Sequence, residues 1–476
     1  VAGAVGAGVP GGAGVLGAAA PVAGAGRGPG RGRDAGAAVP VPCAPRVLVA
    51  PVVVRHDSPS VSAFLFPPLL LTARQINGSL THCQYSGGRR RCVPVAGLKD
   101  TAAIAGIGQT AFAKRLPEAE KTLACRAVLA ALDDAGIDAS EVDAFASYTM
   151  EETDEVELAK AIGAGDATFF AKVGYGGGGS CATVAHLAAA IATGQASVGV
   201  AWRSRKRGSG PRPWTNTAAQ LPTPAQWTRP FGLLRPADEI GMLARRYMHE
   251  YGATRDHFFQ VALACRNRAN QNPAAMMYER PLTREMYMTS RWISEPLCLF
   301  DNCLETDGAL ACVVVSAERA RDCRNRPVYV HSVAQGLPAQ HHGMVNYWTD
   351  DPLTGPAWTA ARRLWKDADF GPQDVDVAQI YDAFTPLIPL SLEGYGFCGR
   401  GEGAAFTEGG ALEIGGRLPL NTSGGGLSEA YVHGFNLITE GVRQLRGTST
   451  AQVTGAATCL VTAGEDVPTS ALLLRS

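Results

Sequence analysis

The chain has 476 residues with 43 Lys+Arg against 43 Asp+Glu, a formal net charge of zero, and is 46% apolar and 18% charged. A chain of that length holds about two to three domains or one large duplicated one, and its apolar share can build a full core, which excludes global disorder. The balanced charge gives no support to a nucleic-acid partner, and no run approaches the roughly 18–20 apolar residues of a membrane span; the longest, Ser62 to Ala73, carries Pro67 and Pro68.

The zero conceals two unlike parts. Residues 1–98 carry nine Arg, no Lys and only Asp34 and Asp57, a net charge of +7, which leaves −7 on residues 99–476. The first forty residues include thirteen Gly and four Pro. Such a stretch cannot bury enough surface to offset its ordering entropy, so 1–98 is expected to be a disordered N-terminal extension. It lacks the charged start and apolar run of a secretory signal. Because the chain opens at Val1 and its first Met is Met150, the segment also reads as lying upstream of the true reading frame. It is a harmless tail on one reading and a basic docking arm on the other. The twelve cysteines include no C-x-x-C pair, so neither a structural zinc nor any other metal site is expected, and a reducing cytoplasmic setting fits them.

From Ala102 the pattern alternates between strand and helix. Ala102–Gly108 is a short apolar strand, Lys121–Gly136 a helix with Leu123, Ala127, Ala130 and Ala131 at helical spacing and Gly136 as its stop, and Ala144–Ser147 a second strand. Gly176–Gly179 then opens an Ala-rich helix ending near Gly194. The same grammar returns with a strand at Val328–Gly336 and a helix at Pro356–Asp369. A shift of 233 residues lays Asp134-Ala135 on Asp367-Ala368 and Val142-Asp143 on Val375-Asp376. A second glycine turn, Gly424–Ser428, is expected to open a helix ending near Arg446. Two such βα-rich halves, 99–325 (with a loop insertion) and 326–476, predict an α/β fold with an internal pseudo-twofold. The glycine turns at Gly177, Gly178 and at Gly425, Gly426 let a ligand approach a helix N-terminus closely.

Four strings carry a family likeness: C-L-F-D-N-C-L-E-T-D-G-A-L-A at 298–311, I-Y-D-A-F-T at 380–385, L-E-G-Y-G-F-C-G-R-G-E at 392–402 and N-T-S-G-G-G-L-S at 421–428. Together they resemble the thiolase superfamily in its lipid-transfer-protein, sterol-carrier-protein-linked branch, over about residues 100–476. The resemblance implies a five-layered αβαβα fold, a homodimer, and a CoA thioester as substrate with no permanently bound cofactor. The departures are as informative. The thiolase nucleophile position falls near Gly178, with Cys181 about three residues later; the His of the G-H-P motif is replaced by Tyr431; and Val461 stands near the second catalytic Cys, with Cys459 offset. These losses look like those of the steroid-degrading branch, whose members are retro-aldolases that cleave a β-hydroxyacyl-CoA steroid side chain to a ketosteroid and propionyl-CoA. They work with a small partner that has an OB fold and a zinc ribbon.

Retro-aldol cleavage needs no covalent nucleophile. A base must take the β-hydroxyl proton, and donors must hold the thioester oxygen as it becomes an enolate. A phenol with a pKa near 10 is a good donor, and becomes a base only beside a positive charge or donor. The resemblance assigns Tyr431 as acid/base at the hydroxyl and Tyr381 as donor or proton shuttle, with His433 in reserve. Asp382 is expected to orient the Tyr381 loop, and His186 to be a core residue. The basic run Arg203, Arg205, Lys206, Arg207, Arg212 reads as a loop for CoA phosphates or an acidic partner. Two other readings stay open: a thiolase (acyltransferase) using Cys181, and a non-catalytic lipid or acyl-CoA carrier.

Overall fold

The computed structural model describes Thr81–Ser86, Arg89–Pro94 and residues 97–476 apart from 211, 213–224, 342–343, 345–348 and 466. Most of the 1–98 extension therefore lies outside the described residues; within it, Thr81–Ser86 pairs antiparallel with Arg89–Pro94. Among the described residues no helix is long and apolar enough to cross a membrane.

Nine strands form one mixed sheet: β1 (Ala102–Gln109), β2 (Ala144–Tyr148), β3 (Phe169–Val173), β4 (Val198–Lys206), β5 (Asp307–Ser316), β6 (Val328–Gly336), β7 (Val377–Gln379), β8 (Thr458–Thr462) and β9 (Thr469–Arg475). Their spatial order is β7-β8-β9-β6-β1-β5-β4-β2-β3. The seam between halves is the antiparallel pairing of β1 with β6, Ile104 opposite Val328 and Ala103 opposite Tyr329. On either side of it the pairings repeat. β1–β5 and β5–β4 are antiparallel and β4–β2 parallel, while β6–β9 and β9–β8 are antiparallel and β8–β7 parallel. Where β3 pairs parallel with β2 in the first half, the second has a single parallel bridge, Ala378 to Leu420. The 233-residue shift holds in three dimensions, since it carries the start of β2 at Ala144 onto the start of β7 at Val377.

Four helices complete the layers: α1 (Glu120–Ala135), α2 (Ser180–Ala192), α3 (Pro356–Asp367) and α4 (Phe435–Arg446). Strand residues alternate between faces, so each half-sheet serves two cores. Ala103, Val200, Trp202, Val313 and Val315 pack with Leu123, Ala127 and Ala131 of α1. The opposite faces, Ile104, Cys312 and Val314 with Val461, Leu472 and Leu474, enclose Val184 and Leu187 of α2 and Leu437 and Val442 of α4. Leu460, Ala471 and Leu473 pack against Ala357, Ala360 and Leu364 of α3. The result is α1, half-sheet, α2 with α4, half-sheet, α3: five layers with α2 and α4 in the middle. α2 is apolar on nearly every face, as a central helix should be, whereas α4 buries polar Asn436, Glu440 and Gln444 among its apolar residues.

The second glycine turn does not open its helix directly. Gly425–Glu429 closes as one wide π-type turn, Ala430 is extended, and α4 begins only at Phe435. Tyr431 therefore lies on a loop ahead of the helix. The basic run is also misplaced as a loop. Arg203 to Lys206 belong to β4, and Arg203 is completely buried.

The middle layer sets the stability of the whole. Strand β9 touches both central helices, and truncating its fully buried Leu472 to Ala is expected to cost about 2–5 kcal/mol. Leu337→Ala, at a side chain 55% exposed, is expected to stay within about 0.5 kcal/mol. Urea unfolding of the two variants beside the wild type measures both.

Candidate active site

Each tyrosine is placed by the backbone that follows a conspicuous element. Tyr381 comes two residues after β7, and its N–H donates to Thr462 Oγ1 of β8 at 3.1 Å. Its neighbour Ile380 is clamped by Asn421, whose amide accepts from the Ile380 N–H and donates to the Ile380 carbonyl, both at 2.8 Å. Tyr431 is held by its own N–H, which donates to Thr306 Oγ1 at 3.1 Å. The two phenol oxygens meet at 2.6 Å, so one hydroxyl donates to the other. Both rings are buried apart from a narrow edge.

The glycines explain why the rings fit. A Cβ on Gly177 would stand 2.0 Å from Tyr381 Oη, and one on Gly434 would stand 2.8 Å from the same ring. The Tyr381 phenol thus occupies the space a side chain at 177 would fill. A Cβ on Gly426 would meet the Tyr431 ring at 3.1 Å. Gly178 and Gly425 face protein instead: Cβ atoms there would lie 2.0 Å from the Pro468 carbonyl oxygen and 2.2 Å from Asp382 Oδ2. Of the four glycines singled out in the sequence, Gly177 and Gly426 are brought to the phenol pair.

Asp382 organises the second glycine turn. Its carboxylate accepts from the N–H groups of Gly426 at 2.7 Å and Leu427 at 3.2 Å. Burial raises its pKa to about 6, against the pull of those donors. It orients the turn. A strap from Asp301 to Thr306 ties the two tyrosine loops together: Thr385 N–H donates to Asp301 O, Cys303 N–H to Ala383 O and Leu304 N–H to Gly426 O, at 2.9–3.0 Å. The strap belongs to the 298–311 string, whose role the sequence alone did not show.

His433 joins the site edge-on to Tyr431, with ring centroids 5.6 Å apart. Burial first, then the charges of Arg203, Arg205 and Arg207, hold its pKa well below the ordinary range. His186 is only partly buried and sits away from these contacts, its Nε2 3.2 Å from Gln335 Nε2. Members of the basic run are engaged within the fold. Arg205 donates to Met150 O at 2.6 Å, Lys206 pairs with Asp307 at 3.3 Å, and Arg212 with Glu305 at 2.7 Å.

Cys181 and Cys459 are both buried. Cys181 is fully buried, its Sγ is 3.6 Å from the Val461 carbonyl oxygen, and burial pushes the thiol up to about 12. A nucleophilic thiol needs the opposite environment. Cys459 is buried and raised likewise. Among the described residues no three His, Cys, Asp or Glu side chains gather as a metal site.

Two measurements check this site. Tyr381→Phe and Tyr431→Phe each keep the packing and delete one hydroxyl, and either is expected to lower kcat by about 10²–10⁴ with an unchanged unfolding midpoint. Glu429, at the end of the second glycine turn, accepts from Ser423 Oγ at 2.5 Å and Asn436 Nδ2 at 2.9 Å, and burial lifts it to about 7. Its folded pKa exceeds its unfolded value. Its stabilising share is thus complete below the unfolded value near 4.3 and lost as pH rises through about 7. Glu429→Gln is expected to flatten that part of the midpoint-against-pH curve; an unchanged slope would contradict the assignment.

Comparison with known proteins places relatives beside this fold. A family model described as thiolase C-terminal domain-like matches residues 339–471. The 17-hydroxy-3-oxo-4-pregnene-20-carboxyl-CoA lyase of Mycobacterium tuberculosis is 48% identical over 387 residues, covering 79% of this chain and 100% of that protein. A steroid side-chain-cleaving aldolase of Thermomonospora curvata is 47% identical over 385 residues, 79% of this chain and 98% of its own. Among solved structures, an Ltp2-ChsH2(DUF35) aldolase superposes with a TM-score of 0.77 at 46% identity, over 80% of this chain and 98% of that one.

Proposed function

The chain belongs to the thiolase superfamily, among its steroid side-chain-cleaving aldolases, and we propose that it is a carbon–carbon lyase performing a retro-aldol cleavage on a steroid CoA thioester. The substrate class is a side chain with a hydroxyl β to the thioester, as named for the mycobacterial relative. The 2.6 Å phenol pair seated on a glycine turn, with the Cys181 thiol buried in the core, is the observation that carries the reading.

In the reaction, Tyr431 accepts the proton of the β-hydroxyl as its own phenol proton passes to Tyr381 across their 2.6 Å hydrogen bond. The carbon–oxygen double bond forms and the bond to the α-carbon breaks, its electron pair passing into the thioester as an enolate. Tyr381 donates to the system and relays the proton, and the enolate is protonated at carbon. For a 17-hydroxy, 20-carboxyl thioester the products are a 17-ketosteroid and propionyl-CoA. One proton leaves oxygen and one reaches carbon, so neither water nor free CoA is consumed. Burial in a low-dielectric site strengthens each of these hydrogen bonds.

Two further parts belong to the proposal. A partner protein is supported by the similar Ltp2-ChsH2(DUF35) aldolase structure, and the family resemblance gives that partner an OB fold and a zinc ribbon. A homodimer is supported by β3, which lies at one end of the sheet with Phe170 73% exposed. A reducing, cytoplasmic setting suits the free cysteines from Cys125 to Cys459.

A thiolase reading meets two obstacles: the Pro468 carbonyl fills the side-chain space at Gly178, and Cys181 points into the core. Product analysis separates the readings. The chain with its partner, given a 17-hydroxy steroid 20-carboxyl thioester and no free CoA, is expected to release ketosteroid and propionyl-CoA. Cys181→Ala is expected to retain activity within about threefold, since the side chain acts as a small core hydrophobe. A requirement for free CoA would establish the thiolase, and binding without turnover the carrier.

A further inference from the structure

Arg203 is an unusual tenant of a strand interior. Its side chain is completely buried, yet its charge is only loosely answered: the nearest carboxylate oxygen, on Glu151, is 3.8 Å away. Glu151 is itself engaged by the Ser204 N–H at 2.7 Å and the Ser204 hydroxyl. The guanidinium spends its donors elsewhere. Nη1 donates to the Tyr148 carbonyl at 2.9 Å, and Nη2 lies 2.6 Å from His433 Nδ1. The guanidinium carbon stacks 4.4 Å above the Tyr148 ring. The Tyr148 hydroxyl in turn donates to the His433 carbonyl oxygen at 3.0 Å.

A guanidinium has donors and no acceptor, and does not deprotonate in proteins. At 2.6 Å the Nδ1 of His433 must therefore present its lone pair. The ring carries its one proton on Nε2, because a second proton on Nδ1 would face a donor. Other charged and titratable groups around this pair are Arg205 of β4 and the following Arg207, Tyr148 of β2, Glu151 after it, Glu120 of α1 near Arg205, and Tyr431 on the His433 loop itself. Arg203, Arg205 and Arg207 all oppose a second proton on the ring.

We propose that Arg203 is a positioning residue: it locks His433 as a neutral Nε2–H donor, excludes it as the base, and pins the loop that carries Tyr431. The catalytic consequence rests on the retro-aldolase reading; the lock itself does not. It leaves the proton transfers to the phenols.

The test reads both parts separately. Nitrogen-15 spectra of the histidine-labelled full chain, with His433 assigned through His433→Gln, are expected to show one neutral Nε2–H tautomer from about pH 5.5 to 8.5. An imidazolium or an Nδ1–H tautomer in the wild type overturns the proposal without any variant needing to fold. In kinetics, Arg203→Met is expected to lower kcat about tenfold or more with KM within about twofold, and Arg203→Lys to recover part of the loss. In the His433→Gln background, Arg203→Met is expected to cost less than about twofold. Equal losses in both backgrounds would make Arg203 merely structural and sink the positioning role. A locked tautomer in a chain that cleaves no thioester would overturn the aldolase reading and leave the lock standing.

Discussion

The arrangement turns on one short hydrogen bond, between Tyr381 Oη and Tyr431 Oη at 2.6 Å, made over a backbone with no side chain. A Cβ on Gly177 would come within 2.0 Å of the Tyr381 oxygen, so the phenol takes the place that a side chain on the first glycine turn would need. Proton transfer between two such oxygens requires no large motion. It does require that both rings be immobile, because a misplacement of about 1 Å costs catalysis heavily.

Immobility comes from the duplicated architecture. Tyr381 leaves the end of β7 in one half-sheet, Gly177 opens α2 beside the other, and the two helices of the middle layer bring those ends together. The Asp301–Thr306 strap then hydrogen-bonds to both tyrosine loops. Asp382 has charge enough to take part in chemistry, yet its carboxylate is used up on the Gly426 and Leu427 amides. A buried carboxylate satisfied by backbone donors rigidifies its surroundings. The same logic removes Cys181 from the reaction: full burial keeps a thiol protonated and unreactive.

Much of this was legible in the residues. The short apolar strands, α1 with its stop at Gly136, and the 233-residue repeat all rest on local periodicity, and the structure places them within a residue or two. The tyrosine pair was named through the strings that surround it, and its two members do meet. Two readings failed for a common reason. The Gly-Gly-Gly-Leu-Ser turn looks like the first glycine turn, but Asp382, forty-four residues away from Gly426, holds its amides in a wide turn and delays α4 to Phe435. The basic run reads as a binding loop, but Arg203 finds Tyr148 O and His433 across the fold. Partners that distant leave no trace in a local pattern. Only the placement of charges within an otherwise apolar strand hinted at β4.

The account therefore makes two phenols, and no thiol, the proton-handling groups of a carbon–carbon cleavage. Turnover in deuterated water tests that most directly, using the wild type and the Tyr381→Phe/Tyr431→Phe double variant with binding of the steroid thioester measured alongside. The account predicts propionyl-CoA with a single deuterium on its α-carbon from the wild type, and a double variant that binds the thioester but releases no ketosteroid. Ketosteroid formed at the wild-type rate by the double variant, or cleavage that begins only when free CoA is added, would contradict it.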